Sequence, residues 1–490
     1  MTDPNLQPRA ETHAAQPPVP LVCDLDGTLI RTDITFELCL LHLMAHPISG
    51  WWRLLSGFLS DKAATKDMLA RAHGDGIAID GLPYSDVLDH EMLAGYDQRA
   101  LVSGSADMLV TRVAEDHGAF LHVQGSDRTR SLTGEAKAAY LKQEFPDGYD
   151  YVGDALVDVP VWRDARKAFA YNASDATVKA AQEHGINLER LNTRPSEMPA
   201  LWKGMRPHQW SKNGLLFVTP LLNVSLFEAS WIVYLLLGLI AFCMVTSATY
   251  LLNDLLDLEA DRVHATKRNR PFASGALSIP TGGMATVGLG LGGLVLALLV
   301  GAPFFACLLI YAVCSLLYSF KLKKIAVFDT MVLSFLFCWR VIAGGVLLGL
   351  SNSVWFLAAI GFFFLSLALG KRAIELNRAK VSATVLSGRG YRVEDLDVVK
   401  TSGLAASFVM SVIVLIYALM EQSTVITRDV SAVIIAVTFL FWQLRFWLLV
   451  GRDEVHDDPI IFALKDRTSA LVLFGIVVAV MYEQLVPAAG

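Results

Sequence analysis

The chain has 490 residues, 54% of them hydrophobic, and a mean hydropathy of +0.45, which excludes a wholly soluble protein of this length. Its charge is divided: residues 1–200 carry 18 Lys and Arg against 29 Asp and Glu, net −11, while residues 201–490 carry 23 against 18, net +5. That division predicts a soluble acidic domain followed by a membrane domain. The six cysteines include no CxxC pair and four lie in apolar stretches, which argues against a disulfide framework or a zinc site.

Residues 1–20 are polar and proline-rich without an apolar core, which predicts a disordered tail over about 1–18 rather than a signal peptide. Leu21-Val22-Cys23 has the pattern of a short buried strand ending at Asp24. Strand and helix patterns then alternate to about residue 190, so an α/β domain is expected over 19–190. Asp24 and Asp26 are two acids one residue apart at a strand end, pointing into one site, with Gly27 bringing backbone close.

Asp24-Leu25-Asp26-Gly27-Thr28-Leu29 resembles the first motif of the haloacid dehalogenase (HAD) phosphatases, a Rossmann-like α/β fold with a helical cap. The other motifs of that family follow in order: Ser103 after Leu101-Val102, Lys137 in Gly134-Glu135-Ala136-Lys137, and Gly153-Asp154-x-x-x-Asp158 after Tyr151-Val152. The resemblance implies that Ser103 binds a phosphate, Lys137 neutralises it, and the segment Asp154 to Asp158 completes a Mg²⁺ site. In that chemistry Asp24 attacks phosphorus to form an aspartyl-phosphate, Asp26 protonates the leaving oxygen and later activates water, and Mg²⁺ held by Asp24 and Asp154 balances charge. A catalytically dead scaffold of the same fold is the alternative. Residues 34–98 lie where the family carries its cap. Trp51, Trp52, Leu54, Leu55, Phe58 and Leu59 make that insert greasy; they are expected to form the cap's own core, with a face laid against the bilayer as the sharper alternative. His42 and His46 are four apart but lack a nearby acidic ligand, so they are expected as core or surface histidines rather than a metal site.

The stretch 191–205, punctuated by Pro195 and Pro199, is the expected linker. From Trp210 onward, nine apolar stretches approach the ~20 residues that span a bilayer. They fall near 210–227, 231–252, 281–300, 302–320, 326–349, 354–372, 400–420, 429–450 and 468–486, so residues 206–490 are expected to form an all-α polytopic membrane domain of about nine transmembrane helices. Loops 253–280, 321–324, 371–400 and 451–467 hold four, three, seven and three Lys and Arg, whereas the intervening short loops hold Arg428. The positive-inside rule therefore places these loops and the N-terminal domain on the cytoplasmic side of an inner membrane.

Asn253, Asp257 and Asp261 recur every four residues where an apolar span runs out into water. On a helix they share one face, about 6 Å apart from turn to turn. Three such side chains make sense as holders of a hard cation such as Mg²⁺ bridging to phosphate oxygens, with Lys267, Arg268 and Arg270 supplying positive charge to the same anion. A solvated juxtamembrane loop is the alternative. With Arg262 and Lys267-Arg268-x-Arg270-Pro271, the pattern resembles the first Asp-rich motif of the UbiA prenyltransferase superfamily, over about residues 200–490. Members that prenylate aromatic rings carry a second Asp-rich motif. Here the corresponding loop reads Lys371-Arg372-Ala373-Ile374-Glu375-Leu376, which resembles the branch typified by decaprenyl-phosphate phosphoribosyltransferase, as do Arg206-Pro207-x-Gln209-Trp210-x-Lys212-Asn213 and Leu464-Lys465-Asp466-Arg467. That branch transfers 5-phosphoribose from phosphoribosyl diphosphate (PRPP) to a polyprenyl phosphate.

Two phosphorylated substrates bring more negative charge than one, so Lys371, Arg372 and Glu375 are expected to bind substrate; a helix-surface pair between Lys371 and Glu375 is the alternative. Arg206 and Lys212 near a helix start are expected to bind phosphate, or else to anchor the span. Arg340 lies inside the fifth span and needs a cavity, a lipid phosphate or a partner on another helix. Asp329, 11 residues away and about 16 Å along the axis, cannot be that partner. Arg445 is close enough to its span's end to snorkel.

The expectation is a bifunctional membrane enzyme with one Mg²⁺ in each domain, acting on PRPP and a polyprenyl phosphate and then removing the ribose 5-phosphate. No nucleic acid is expected as a partner, and self-association is left open. The alternatives are a UbiA-type transferase moving a prenyl chain from its diphosphate, with an unrelated or scaffold HAD domain, and a lipid-phosphate transporter.

Overall fold

A computed structural model of the chain describes residues 19–223, 228–382, 390–420, 429–455 and 459–485. The expected tail over 1–18 and Arg428 lie outside them. The chain divides into two units: Met1–Lys203 with Asp254–Gly282, and Gly204–Asn253 with Gly283–Gly490.

The first unit is built on six parallel strands in the order β3-β2-β1-β4-β5-β6: β1 (Leu21–Cys23), β2 (Arg99–Ala106), β3 (His122–Ser126), β4 (Asp150–Gly153), β5 (Lys167–Ala170) and β6 (Leu188–Arg190). Alternate residues face opposite sides, and both sides are covered. Leu21, Cys23, Leu101 and Val152 belong to one core, and Val22, Ala100, Val102 and Tyr151 to the other. Between β1 and β2 the chain forms three helices, α1 (Ile34–Ala45), α2 (Gly50–Ser60) and α3 (Lys62–His73), as expected for a helical insert. The Asp33 side chain starts α1 by accepting from the Thr35 and Phe36 amides. Helices α4 (Asp107–His117), α5 (Glu135–Glu144), α6 (Val159–Asp164) and α7 (Asp175–Glu183) connect the later strands.

The α2 helix departs from the expectation of a cap core. Leu54 is buried and Phe58 packs on the core, but Trp51, Trp52, Leu55 and Leu59 are 64, 73, 56 and 79% exposed. At 100° per residue the four fall within one ~100° arc, which adjoins the arc that holds Leu54 and Phe58. The helix thus carries one broad apolar surface, of which the core covers one side and leaves the other exposed. His42 is buried and shares a hydrogen bond of 3.0 Å with His73, which makes it a packed histidine.

The expected linker contains α8 (Met198–Met205). After it, Pro207–Phe217 winds as a 3-10 helix and continues into α9 (Val218–Leu221). The expected first span, 210–227, is therefore broken over its described residues, in a segment carrying Pro207, Pro220 and the polar Lys212 and Asn213. Helices α10 (Ser230–Leu256), α11 (Leu258–Arg262), α12 (Ile279–Val300), α13 (Ala302–Phe320), α14 (Phe328–Leu347), α15 (Val354–Ser382), α16 (Leu396–Met420), α17 (Asp429–Gly451), α18 (Pro459–Lys465) and α19 (Arg467–Leu485) follow. Among the described residues seven helices are long and apolar enough to cross a membrane, in place of the nine expected: α10, α12, α13, α14, α15, α16 and α17, some trimmed or extended by a few residues. The expected ninth span, 468–486, runs past the described residues. Small residues let the spans of the second unit approach closely: a Cβ on Gly403 would lie 1.9 Å from the Trp447 ring.

Candidate functional site

The sheet order of the first unit reverses direction between β1 and β4, and crevices at the carboxyl ends of such strands bind ligands. Asp24 follows β1, its amide bonded to the Val152 carbonyl at 3.0 Å, and Asp154 and Asp158 follow β4. Ligand oxygens of Asp24, Asp154 and Asp158 all lie within 4.8 Å of one another, the one group of three such residues among the described residues. Gly27, at φ +77°, makes room for them, since a Cβ there would fall 2.3 Å from Asp154 Oδ2. Hard carboxylate oxygens at this spacing suit Mg²⁺ better than a softer metal.

Lys137 is buried in the same place. Its Nζ donates to Asp24 Oδ1 at 2.7 Å and to the Tyr151 hydroxyl at 2.7 Å, and that hydroxyl donates to Asp158 Oδ1 at 2.7 Å. Burial, then Asp158 and Asp24, drives the Asp154 carboxyl well above the usual range. Burial and Asp24 push Asp158 up to about 6 against the pull of Lys137. Asp26 points differently: Oδ1 accepts from the Ile34 amide at 2.9 Å, and Oδ2 from Ser105 Oγ at 2.6 Å and Ser103 Oγ at 3.3 Å. Burial and the nearby Asp33 push its carboxyl up to about 7, despite the Ser105 hydrogen bond. A carboxyl of that kind can both give and take a proton near neutrality.

A cavity of about 510 Å³ opens over these groups, and Ser103 and Lys137 line it as expected. So do Arg31, Lys66 and Arg194, cations that the motif reading passed over because they sit in no motif. Lys66 comes from α3 and donates to the Gly104 carbonyl at 2.7 Å. Ser278, Ile279 and Pro280, at the start of α12, complete the wall.

The acidic motif is arranged differently from the expected helical face. The α10 helix ends at Leu256, and Asp257, at φ −95° and ψ 10°, separates it from α11, so Asn253, Asp257 and Asp261 do not ride one continuous helix. Asp261 is buried; its Oδ2 accepts from Arg270 Nη1 at 2.6 Å, and Lys267 Nζ lies 4.0 Å from its Oδ1. Burial raises the Asp261 carboxyl while Arg270 opposes it. Arg270 Nη1 also reaches Asp254 Oδ1 at 3.1 Å, an acid hidden in the sequence by the neighbouring Asn253. Lys267 and Arg268 are exposed, as anion-collecting cations should be. Arg262, expected beside them as a substrate ligand, is instead buried, with its fork on both carboxylate oxygens of Glu37 at 2.6 and 2.8 Å.

Two arginines of the second unit also find protein partners where substrate was expected. Arg340 donates to Asn213 Oδ1 at 3.1 Å, the Leu336 carbonyl at 2.8 Å and the Tyr311 hydroxyl at 2.6 Å, so its in-span charge meets partners on neighbouring elements, one of the options expected for it. Arg372 donates to Asp329 Oδ2 at 2.6 Å and Tyr318 at 3.2 Å and pairs with Glu375, so Glu375 is taken by the residue three before it. Asp329, which also accepts from Tyr391 at 2.7 Å, was excluded as the partner of Arg340 and proves to be that of Arg372. Lys212 is buried with its ammonium 5.8 Å from the Phe337 ring, Arg206 stacks over Tyr250 at 5.3 Å, and Lys371 is half-buried on α15. Arg445 forms a bidentate pair with Asp466 at 2.7 and 3.0 Å.

The UbiA prenyltransferase family matches residues 216–464. The chain belongs to that family. Among its relatives, the "Uncharacterized protein y4nM" of Sinorhizobium fredii is 35% identical over 463 residues, 92% of this chain and 88% of that one, so the alignment runs through both units. The "Nodulation protein NoeC" of Azorhizobium caulinodans is 34% identical over 284 residues, 56% of this chain and 91% of that protein. The "Decaprenyl-phosphate phosphoribosyltransferase" of Corynebacterium glutamicum is 38% identical over 184 residues, 36% of this chain and 54% of its own. As a UbiA prenyltransferase family member with seven helices of spanning length and composition among its described residues, the chain is a multi-pass membrane transferase.

Proposed function

We propose that the chain is a bifunctional enzyme that transfers 5-phosphoribose from PRPP to a polyprenyl phosphate and then removes the 5-phosphate from the product. In the first step an oxygen of the lipid phosphate attacks the anomeric carbon of PRPP, and the bond to diphosphate breaks with its electron pair leaving on the diphosphate. Asp257 and Asp261 would hold Mg²⁺ against that leaving group, with Lys267, Arg268 and Arg270 collecting its negative charge. In the second step the Asp24 carboxylate attacks the 5-phosphate, Asp26 protonates the departing ribose oxygen, and Asp26 then takes a proton from the water that hydrolyses the aspartyl-phosphate. Mg²⁺ on Asp24 and Asp154, with Asp158 behind them, would offset phosphate charge. The geometry and motif order of this site support a HAD-like phosphatase, and the charge of the basic loops supports a cytoplasmic side for it.

The observation that carries the pairing is that the acidic loop Asp254–Gly282 folds within the same unit as the aspartate-lined cavity. The likeness to decaprenyl-phosphate phosphoribosyltransferases favours PRPP as donor. Prenyl transfer from an isoprenyl diphosphate is the second reading, favoured by the engagement of Arg372 with Asp329 and Glu375, which leaves that cation turned away from a second phosphate. Purified protein incubated with labelled PRPP and polyprenyl phosphate, with and without Mg²⁺, decides. Lipid-linked label that requires Mg²⁺ is the expected result. Product formed only from isoprenyl diphosphate and an aromatic acid would move the chain to the second reading.

A further inference from the structure

Glu37 and Arg262 are 225 residues apart in sequence and make a bidentate pair in which both side chains are about 98% or more out of solvent. Two parallel charged hydrogen bonds fix both distance and orientation. Burying such a pair is costly in desolvation, so it is poor material for stability and good material for register. Each end is anchored further. Glu37 Oε1 accepts from Thr32 Oγ1 at 2.5 Å, and the Thr32 carbonyl accepts from the Gly27 amide at 3.1 Å, next to the aspartate-lined cavity. Arg262 Nη1 also reaches Glu259 Oε1 at 3.3 Å, and Glu259 Oε2 accepts from the Ala78 amide at 3.2 Å. The helix that carries Arg262 is the five-residue α11, too short to hold its own direction. It also carries Asp261, whose carboxylate is aimed at Arg270.

We infer that Glu37 is a positioning residue for the transfer step: acting through Arg262, it sets α11 and thereby the aim of Asp257 and Asp261. The inference rests on the reading of those acids as the transferase metal ligands. Its consequence is that a side chain on the first helix after the phosphatase motif governs the other reaction. Sequence reading missed it because Glu37 belongs to no motif and Arg262 was assigned to substrate.

The test is steady-state transfer by the full chain with PRPP and polyprenyl phosphate in saturating Mg²⁺. Glu37→Gln keeps shape but replaces one acceptor by a donor facing the guanidinium. It should lower kcat/KM for PRPP at least about tenfold, chiefly through KM, because a misaimed loop binds diphosphate poorly. Arg262→Lys cannot form the fork and should do the same. The double variant should be no worse than the worse single, as for two residues acting as one unit. A role in folding alone would lower kcat through a smaller active fraction at unchanged KM, and that result overturns the inference. So does a KM for PRPP within twofold of wild type in Glu37→Gln, or single effects that simply add. Absence of transfer by the wild type would instead remove the reading beneath it, and the inference with it.

Discussion

Replacing Asp24 by asparagine separates the two proposed activities. The amide keeps the side chain's shape but cannot attack phosphorus, and loss of a nucleophile lowers kcat by several orders of magnitude, up to roughly 10⁶. The fold should survive, and the site's geometry says why. The variant loses the charge on a 2.7 Å hydrogen bond from Lys137, a contact worth about 1.5–3 kcal/mol. It also removes one of three carboxylates whose ligand oxygens lie within 4.8 Å of one another. At an effective dielectric of 20, a like-charge pair at that distance costs about 3.5 kcal/mol, and with the Asp154 carboxyl driven upward by burial, neutralising Asp24 relieves chiefly the pair with Asp158. The relief matches or exceeds the loss, so the metal-free variant should melt at or above the wild-type temperature while gaining less from added Mg²⁺. In the full chain, given PRPP and polyprenyl phosphate, the variant should accumulate lipid-linked 5-phosphoribose where wild type yields the dephosphorylated lipid. Mass spectrometry separates the two by one phosphate group. A wild type that also stops at the phosphorylated lipid would refute the coupled reading, and a variant that still dephosphorylates it would refute Asp24 as nucleophile.

Other outcomes follow from single contacts. Gly27→Ala pairs a left-handed φ of +77° with a Cβ 2.3 Å from Asp154 Oδ2, so beyond about 1–2 kcal/mol of backbone strain it must displace that carboxylate; the Mg²⁺ concentration for half-maximal phosphomonoester hydrolysis should rise at least tenfold, and an unchanged Mg²⁺ titration would show that Asp154 is not a ligand. Asp257→Ala should abolish ribose transfer while the same protein still hydrolyses a soluble phosphomonoester, and full transfer by this variant would remove the acidic loop from the active site. Arg372→Met leaves the buried Asp329 carboxylate without its charged partner, which should cost about 3–5 kcal/mol in thermal or denaturant unfolding in detergent; a loss under 1 kcal/mol would mean the pair is dispensable.

The sequence carried the first unit well because its signals are local and chemical. A three-residue apolar run ending in Asp24, and a second ending before Asp154, name two neighbouring parallel strands, and the side chains that chemistry demands at their ends converge in the structure. Charge and hydropathy likewise delivered most of the spans. The first expected span failed for a reason hydropathy averages away. Its apolar residues are interleaved with Lys212 and Asn213 and bounded by Pro207 and Pro220, and its backbone winds as a 3-10 helix instead.

Arginine was the residue the sequence could not resolve. Arg262, Arg340 and Arg372 all lie among residues that suggest phosphate, and all three prove to be held by protein groups: Glu37, Asn213 with Tyr311, and Asp329 with Glu375. Their partners lie 225, 127, 29 and 43 residues away, except for Glu375, three residues on. No periodicity within a window of one helix can reveal such pairs. The arginines that remain near the acids, Arg268 and Arg270, differ in being exposed or only half-buried, which is what a cation needs if it is to exchange water for a diphosphate. Burial therefore sorts these cations better than motif membership does. By that measure Arg31, Lys66 and Arg194, which line the cavity over Asp24 without belonging to any motif, are better placed to meet a phosphate than the buried arginines.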